Sequence, residues 1–526
     1  MRESDATGHI RAREVTLVGT LWGVLAASWL APILMQGVSG PWFSDSAAYL
    51  LLADHWRGAS TLPLAWIDQY ASQSRFPPGF PLVLAATGAG SEDVTRAVWL
   101  TTLLSVLAVA LAAAWFARRH GRASASLLAA PLLLCPWFFV QRLEIVSEPL
   151  YLVLLAGAML MLAGGERQRR AQLAGMLLLA LLPLVRMAGM AVVAAYALCR
   201  VRSEGRRGIA PSLAVAAPGV ALMLWSLVHA RGDSYVEQMV QDPMGVRGNG
   251  ALAFVADQAS ATFLALARCF DLAGGVLGIV AAALLLLAML PGAWLALRRN
   301  DFAGTAALAS LATCVVWPFP AELPRLLVAA LPLLLALAAD ALAIAPSFAR
   351  RVGGWRAAVI ALPLLALSVP ALARIVRREL APVPAALAPY RTAPSYWLVA
   401  DDEWAHALLE LHARLAAATR SVRDYVGPGD CVYSAFPLLL RLQAGVEVRQ
   451  VPYDLESVAD ARVRLSGCRY IMLSYSTSLQ YGQDYLYPSS YVQPWVEPMF
   501  VSRFSFRGES VAAAVLARRK DPANTP

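Results

Sequence analysis

Apolar runs occur at 15–36, 97–117, 123–140, 149–164, 171–185, 187–199, 210–229, 272–297, 302–320, 326–345 and 357–373. A hydrocarbon layer about 30 Å thick is crossed by roughly 20 apolar residues in a helix. Only a helix or a closed barrel pairs its own backbone polar groups where there is no water. Most of these runs reach or approach that length, so a chain of 526 residues has little sequence left for a soluble core. Composition agrees, with 58% hydrophobic and 15% charged residues, against about 45–50% and about 25% in soluble domains. A soluble globular protein, a disordered chain, collagen and a coiled coil are excluded. The expectation is a multi-pass α-helical membrane protein with about eleven spans. The run at 187–199 is short, so the pair around Arg186 reads either as two spans or as a re-entrant hairpin.

The formal net charge of +9 is unevenly placed: residues 1–380 hold 30 Lys and Arg against 21 Asp and Glu, and residues 381–526 hold 14 against 14. The excess lies in the apolar part, which argues against nucleic-acid binding. Placing the N-terminus in the cytoplasm puts 18 arginines and six acids in the inner loops, while the outer loops hold 12 basic and 14 acidic residues. Cationic loops stay on the cytoplasmic side, which selects this orientation. It makes the tail extracytoplasmic and implies a bacterial-type inner membrane. Arg374, Arg377 and Arg378 are the misfit, following the last run on the outer side. Asp340 reads as an acid inside a span. The run at 15–36, preceded by Arg11 and Arg13, has no small-x-small cleavage site after Met35 and reads as a retained anchor.

Three segments are too polar or broken to span: 37–96, 230–271 and the tail from about 380. All fall on the outer side. The tail alternates strand-like runs at 431–436 and 470–475 with a helical stretch at 402–425, which predicts a small α/β domain. Pro382, Pro384, Pro389 and Pro394 suit a stiff linker. The division expected is a transmembrane domain at 1–376 with its outer loops 37–96 and 230–271, a linker at 377–395 and an α/β domain at 396–526. Cys135, Cys199, Cys269 and Cys314 lie in or beside spans as small apolar residues. Cys431 and Cys468 are either a disulfide or two buried thiols, since spacing does not give their separation.

The first outer segment contains Ser44 as a helix cap, then Asp45 in the first turn, where the helix dipole favours a carboxylate. Tyr49 follows on the same face, with His55 beyond it. An ionised carboxylate held just above a membrane suits a general base; a plain capping acid is the other reading. Next comes Arg75-Phe76-Pro77-Pro78-Gly79-Phe80-Pro81-Leu82, a rigid turn before the chain becomes apolar again. The Asp-x-x-x-Tyr loop followed by a Pro-Pro-Gly-aromatic-Pro-Leu turn resembles the polyprenyl-phosphate-dependent glycosyltransferases of the C superfamily, near the protein O-mannosyltransferases and lipid A aminoarabinose transferases. Ser147-Glu148-Pro149-Leu150, Val185-Arg186-Met187-Ala188-Gly189 and Arg325-Leu326 through Leu331-Pro332 fit the same resemblance in order, over about 1–345. Ser46 stands where many relatives have a second acid, and Leu326 replaces their tyrosine. A two-acid motif and a metal site are therefore not carried over.

That resemblance implies a C-superfamily fold and an inverting transfer of a sugar from a polyprenyl phosphate to an acceptor hydroxyl or amine. The leaving phosphate is stable as an anion and needs cations, for which arginine's fork is suited. Arg75, Arg186 and Arg325 are the candidates to hold it. Asp45 is the candidate base, with Glu148 the second catalytic candidate as its partner or in orienting the acceptor. Tyr49, His55, Glu322 and Arg142 are candidate substrate-binding residues. Each arginine, taken singly, is also suited to snorkelling toward headgroups. Glu322 and Glu144 are near enough in sequence to pair with Arg325 and Arg142.

No cofactor is assured; a divalent cation is left open, without an acidic or histidine cluster of ligand spacing to support it. The partners implied are the lipid-linked sugar, a lipid, glycan or protein acceptor, and the bilayer, with no nucleic acid. The amphipathic stretch 251–268 reads as an interfacial helix, either the wall of a lipid groove or a connector. Tyr470, Tyr475, Tyr481, Tyr485, Tyr487, Tyr491 and Trp495 suit either acceptor stacking or packing. Two other classes compete: a transporter or flippase of lipid-linked substrates, which would show mid-span charges and paired halves, and a lipid-linked oligosaccharide polymerase or ligase.

Overall fold

The computed structural model describes residues 44–59, 76–163, 169–229, 251–317, 322–342, 356–392, 396–397, 399, 401–452, 455–474 and 489–520. The run at 15–36, Arg75, and Tyr475, Tyr481, Tyr485 and Tyr487 lie outside the described residues. The chain forms two compact units.

The first unit draws on Val98–Leu224 and Val255–Ala381 and is wholly helical. Its centre is the helix Leu323–Ala341, whose residues from Leu326 to Ala338 are all buried. Helices Val276–Arg299, Phe302–Val316, Glu148–Leu162 and Arg356–Leu380 surround it. With Arg325 and Asp340 confined to its two ends, this helix packs its apolar length against neighbouring helices. The surrounding helices turn apolar side chains outward instead, with Leu287, Leu290 and Leu213 63%, 66% and 64% exposed. Outward apolar faces of that extent fit a lipid environment. Helices approach closely where side chains vanish: a Cβ on Gly292 would lie 2.0 Å from the Leu337 carbonyl oxygen, so these two backbones nearly touch.

Among the described residues five helical stretches are long and apolar enough to cross a membrane: Val94–His120, Gly189–Val228, Val276–Arg299, Leu323–Ala341 and Ala357–Leu380. Shorter apolar helices cover Ser124–Leu133, Glu148–Leu162 and Phe302–Val316. The 40-residue stretch is two helices, Gly189–Glu204 and Ile209–His229, joined by a 3-10 turn at Gly205–Gly208. Gly205 takes φ +58°, and Gly219 lies against Met190 and Pro183, so the second helix runs back beside the first. The run 123–140 is likewise not one helix. It stops at Leu133 and restarts at Pro136, with Cys135 extended as residues before proline are.

The last helix continues to Leu380, beyond the expected end at 373. Arg374, Arg377 and Arg378 therefore belong to the helix. Arg374 pairs with Asp271 at 3.0 Å, and Arg378 is 2% exposed.

The second unit draws on Val38–Ala97, Trp225–Phe254 and Pro382–Pro526. Its sheet has the order β2-β1-β3-β5-β4, from β1 (Cys431–Ser434), β2 (Glu447–Gln450), β3 (Tyr470–Ser474), β4 (Val496–Phe506) and β5 (Glu509–Arg519). β1 pairs parallel with β2 and β3, while β3 and β4 pair antiparallel with β5. Alternation puts Tyr433, Ile471 and Leu473 in one core and Val432, Tyr470 and Met472 in another, so both faces of the sheet are covered. The predicted helix at 402–425 is Asp402–Tyr425, capped by the Asp401 side chain, which accepts from the Glu403 and Trp404 N–H groups. Tyr470 is buried in one core and Trp495 in the other, where Tyr491 packs beside it. Packing is the reading these three aromatics take. Cys431 and Cys468 are joined in a disulfide.

Candidate functional site

Three of the sequence candidates meet at one end of the helical unit. Glu148 opens the helix Glu148–Leu162 beside Pro149, and its carboxylate is fully buried. Oε1 accepts from Arg186 Nη1 at 2.7 Å and from Arg325 Nε at 2.6 Å. Arg186 Nη1 lies 3.2 Å from Ser147 Oγ. Each arginine arrives from a different element. Arg186 follows the end of the helix Arg169–Val185, where the dipole favours a cation. The chain can leave at once because Gly189 sits against the backbone of Leu182 and Pro183, where a Cβ would come within 2.8 Å. Arg325 is the third residue of the helix Leu323–Ala341, at a terminus whose dipole disfavours a cation. The Glu148 carboxylate offsets that, and is itself well placed at a helix start.

Two guanidiniums thus face one carboxylate in a low-dielectric setting, where charges act strongly on one another. Arg186 and Arg325 are 12% and 11% exposed at their side chains, so a ligand can reach them from outside the cluster. Tyr151, Ser310 and Thr313 line a cavity of about 20 Å³ beside Arg186, a space for one water.

Arg142 is not part of this cluster. It is 1% exposed, ion-paired to Glu379 at 2.8 Å and stacked over the Phe139 ring at 3.5 Å. Its guanidinium also donates to the Phe139 carbonyl. The expected partner Glu144 is not the one with which it forms its ion pair. Glu322 accepts from the Trp317 indole N–H at 3.1 Å, and the ion pair of Arg325 goes to Glu148.

In the second unit Asp45 lies in the first turn of the helix Ser44–Trp56 and is half-buried. Tyr49, 4% exposed, sits one turn on and meets Phe76 and Phe80 edge-on, at 5.6 and 5.0 Å between ring centroids. The Phe-Pro-Pro-Gly-Phe turn thus clamps the Asp45 helix through Tyr49. Its far end is held by Asp54, which pairs with Arg57 at 2.7 Å and accepts from the Ser91 N–H at 3.2 Å. Sequence reasoning missed Asp54; its only signal was an acid among the buried positions of an apolar helix. His55 is half-buried, with its ring 6.1 Å from that of Trp56.

At the opposite end of the helix Leu323–Ala341, Asp340 is not mid-span. It is the penultimate residue, paired with Arg119 at 2.5 Å, and Arg119 also pairs with Asp301 at 2.8 Å. No group of three or more His, Cys, Asp and Glu side chains among the described residues is arranged to hold a metal ion.

No family model and no curated protein matches the sequence. Solved structures do match in fold. The archaeal oligosaccharyltransferase AglB from Archaeoglobus fulgidus, in complex with an inhibitory peptide and a dolichol-phosphate, is 12% identical. It matches over 98% of this chain and 75% of its own, with a TM-score of 0.51. The same oligosaccharyltransferase in its apo form also gives 0.51, at 12% identity over 94% and 75%. ArnT from Cupriavidus metallidurans in the apo state gives 0.49, at 14% identity over 96% and 98%. The chain shares the fold of AglB.

Proposed function

We propose that this chain is an integral membrane glycosyltransferase that takes a sugar from a polyprenyl-phosphate donor and transfers it, with inversion, to an acceptor on the extracytoplasmic face. The observation that carries this reading is the buried Glu148–Arg186–Arg325 cluster at the end of a helical bundle with the AglB fold. The dolichol-phosphate in the AglB complex supports a lipid-phosphate donor.

The acceptor oxygen attacks C1 of the sugar while the Asp45 carboxylate takes its proton. The bond from C1 to the phosphate oxygen breaks, and the phosphodiester leaves as a phosphate monoester carrying one more negative charge. That added charge appears only as the reaction proceeds, so guanidiniums placed to meet it stabilise the transition state more than the ground state. Arg186 and Arg325 have that role, with Arg75 as a third cation. Glu148 acts through the two arginines by holding their forks in place, which refines its standing as a second catalytic acid. Tyr49 keeps Asp45 in position through the aromatic turn.

About eleven spans, an N-terminus in the cytoplasm and a tail in the extracytoplasmic space complete the proposal. The arginine count supports the orientation. The disulfide of Cys431 and Cys468 supports an oxidising compartment for the tail.

The test is transfer of labelled sugar by the full chain in membranes, with a panel of polyprenyl-phosphate monosaccharide and oligosaccharide donors. Asp45→Asn should lose kcat by about 100-fold or more, the scale of a lost general base. Arg325→Ala should lose about 100- to 1000-fold, the scale of a lost oxyanion donor. Full activity of Asp45→Asn sinks its assignment, and no transfer by the wild type with any donor sinks the function. Likeness to an oligosaccharyltransferase favours a second reading, transfer of a longer glycan. Preference within the donor panel separates the two.

A further inference from the structure

At the end of the helical unit remote from Glu148, a cavity of about 770 Å³ is lined by Arg119, Arg200, Arg202, Arg298 and Arg299, with Asp301 as the lone acid. That volume is in the range of ligand pockets, about 300–1000 Å³. Arg119 is saturated by Asp301 and Asp340. Arg200 pairs with Glu204 at 2.9 Å, and Arg298 stacks on the Trp294 ring at 4.1 Å. Arg202 and Arg299 have no ion pair among the described residues. Among the described residues, five arginines set against Asp301, Asp340 and Glu204 leave +2 around one concave space.

The cavity is built, not incidental. Asn300 adopts the left-handed conformation at φ +53°, and its side-chain amide donates to the Cys199 carbonyl at 2.7 Å. This bond ties the end of the helix carrying Arg298 and Arg299 to the helix carrying Arg200 and Arg202, so the spacing of the four cations is set by the fold. Met159, Leu162 and Met176 give the cavity an apolar stretch of wall, beside the polar Gln172 and Ser203. Leu173 and Leu177, on the helix that supplies Met176, are 56% and 60% exposed and face outward.

We propose that this cavity binds a phosphate ester, with the arginines on the phosphate oxygens. Arginine forks match that geometry, and basic pockets between spans hold anionic headgroups. A phosphate ester can reach the cavity as a phospholipid headgroup or as a small soluble ester. The apolar wall beside an outward apolar helix favours the lipid.

The test uses the full chain purified in detergent with equal phosphatidylcholine and phosphatidylglycerol, counting retained lipid by native mass spectrometry. The wild type should retain one phosphatidylglycerol at least tenfold better than phosphatidylcholine. Arg202→Ser with Arg299→Ser should abolish that preference. Arg206→Ser with Arg207→Ser removes the same charge from exposed residues outside the cavity and should leave it unchanged. If the serine pair fails to fold, Arg202→Lys with Arg299→Lys keeps the charge, loses the forks and should retain the lipid several-fold less well.

Glycerol phosphate at millimolar concentration separates the sources. A phosphatidylglycerol that persists identifies the lipid, and displacement together with direct binding of glycerol phosphate identifies the soluble ester. Equal losses in the two serine pairs overturn the proposal, as does absence of any preference for phosphatidylglycerol when glycerol phosphate also fails to bind.

Discussion

Glu148 holds two cations that come from residues up to 177 positions away in the chain. Glu148→Ala removes the one carboxylate between two nearly buried guanidiniums, and stability should fall by about 3–5 kcal/mol, the scale of a broken buried pair. Thermal denaturation in detergent checks this, and a loss under 1 kcal/mol would show the arginines to be otherwise compensated. His412, 6% exposed on the helix Asp402–Tyr425, has its pKa pushed down to about 4 by burial. The unfolded chain takes up that proton near pH 6.5. Stability present above pH 6.5 is therefore lost as pH falls toward 4, by about 3 kcal/mol in all. The pH dependence of the melting midpoint over that window should flatten in His412→Leu. At this scale sequence reasoning named Glu148, Arg186 and Arg325 from their motifs but not their mutual contact. It offered Glu322 as a substrate-binding candidate or, being three residues away, as a partner of Arg325. That spacing works only inside a helix, and Glu322 precedes the helix, where the Trp317 indole takes its carboxylate.

Elements were legible where one periodicity ran uninterrupted. Each apolar run from 97 onward is mainly helical in its described residues, and the stretch at 402–425 was read to the residue. Proline, glycine and tight turns account for the differences. Pro136 breaks one run, whereas the turn at Gly205–Gly208 falls between the two separate runs 187–199 and 210–229. The β4–β5 hairpin escaped notice although Phe500 to Phe506 alternates, because its two-residue turn is Arg507-Gly508. Arginine at φ +51° is an uncommon occupant of a turn position that usually takes asparagine or glycine. Helix contacts were not legible at all. Gly292 reads as an ordinary small residue in a span, yet it meets the Leu337 carbonyl. Gly292→Val should lower stability by about 1–3 kcal/mol through overpacking. Unchanged denaturation in that variant would show that the two helices can part without cost.

For the molecule as a whole, net charge +9 with its excess among the apolar runs predicts which side each loop takes. Reporter fusions check it: a phosphatase that needs an oxidising compartment should be active after Lys520 and inactive after Arg207, and the reverse pattern would invert the protein. Hydropathy and charge sign could be read along the chain because each depends on local composition against a solvent, whether hydrocarbon or water. They yielded the helical membrane class, the α/β tail and the short roll of outer charges in which a site had to be sought. Pairing could not be read that way. Which arginine meets which carboxylate, that Cys431 meets Cys468, and that Asp340 meets Arg119 depend on distances between residues far apart in sequence. Those distances exist only once the helices have packed, because close packing and buried charge select partners by geometry in space.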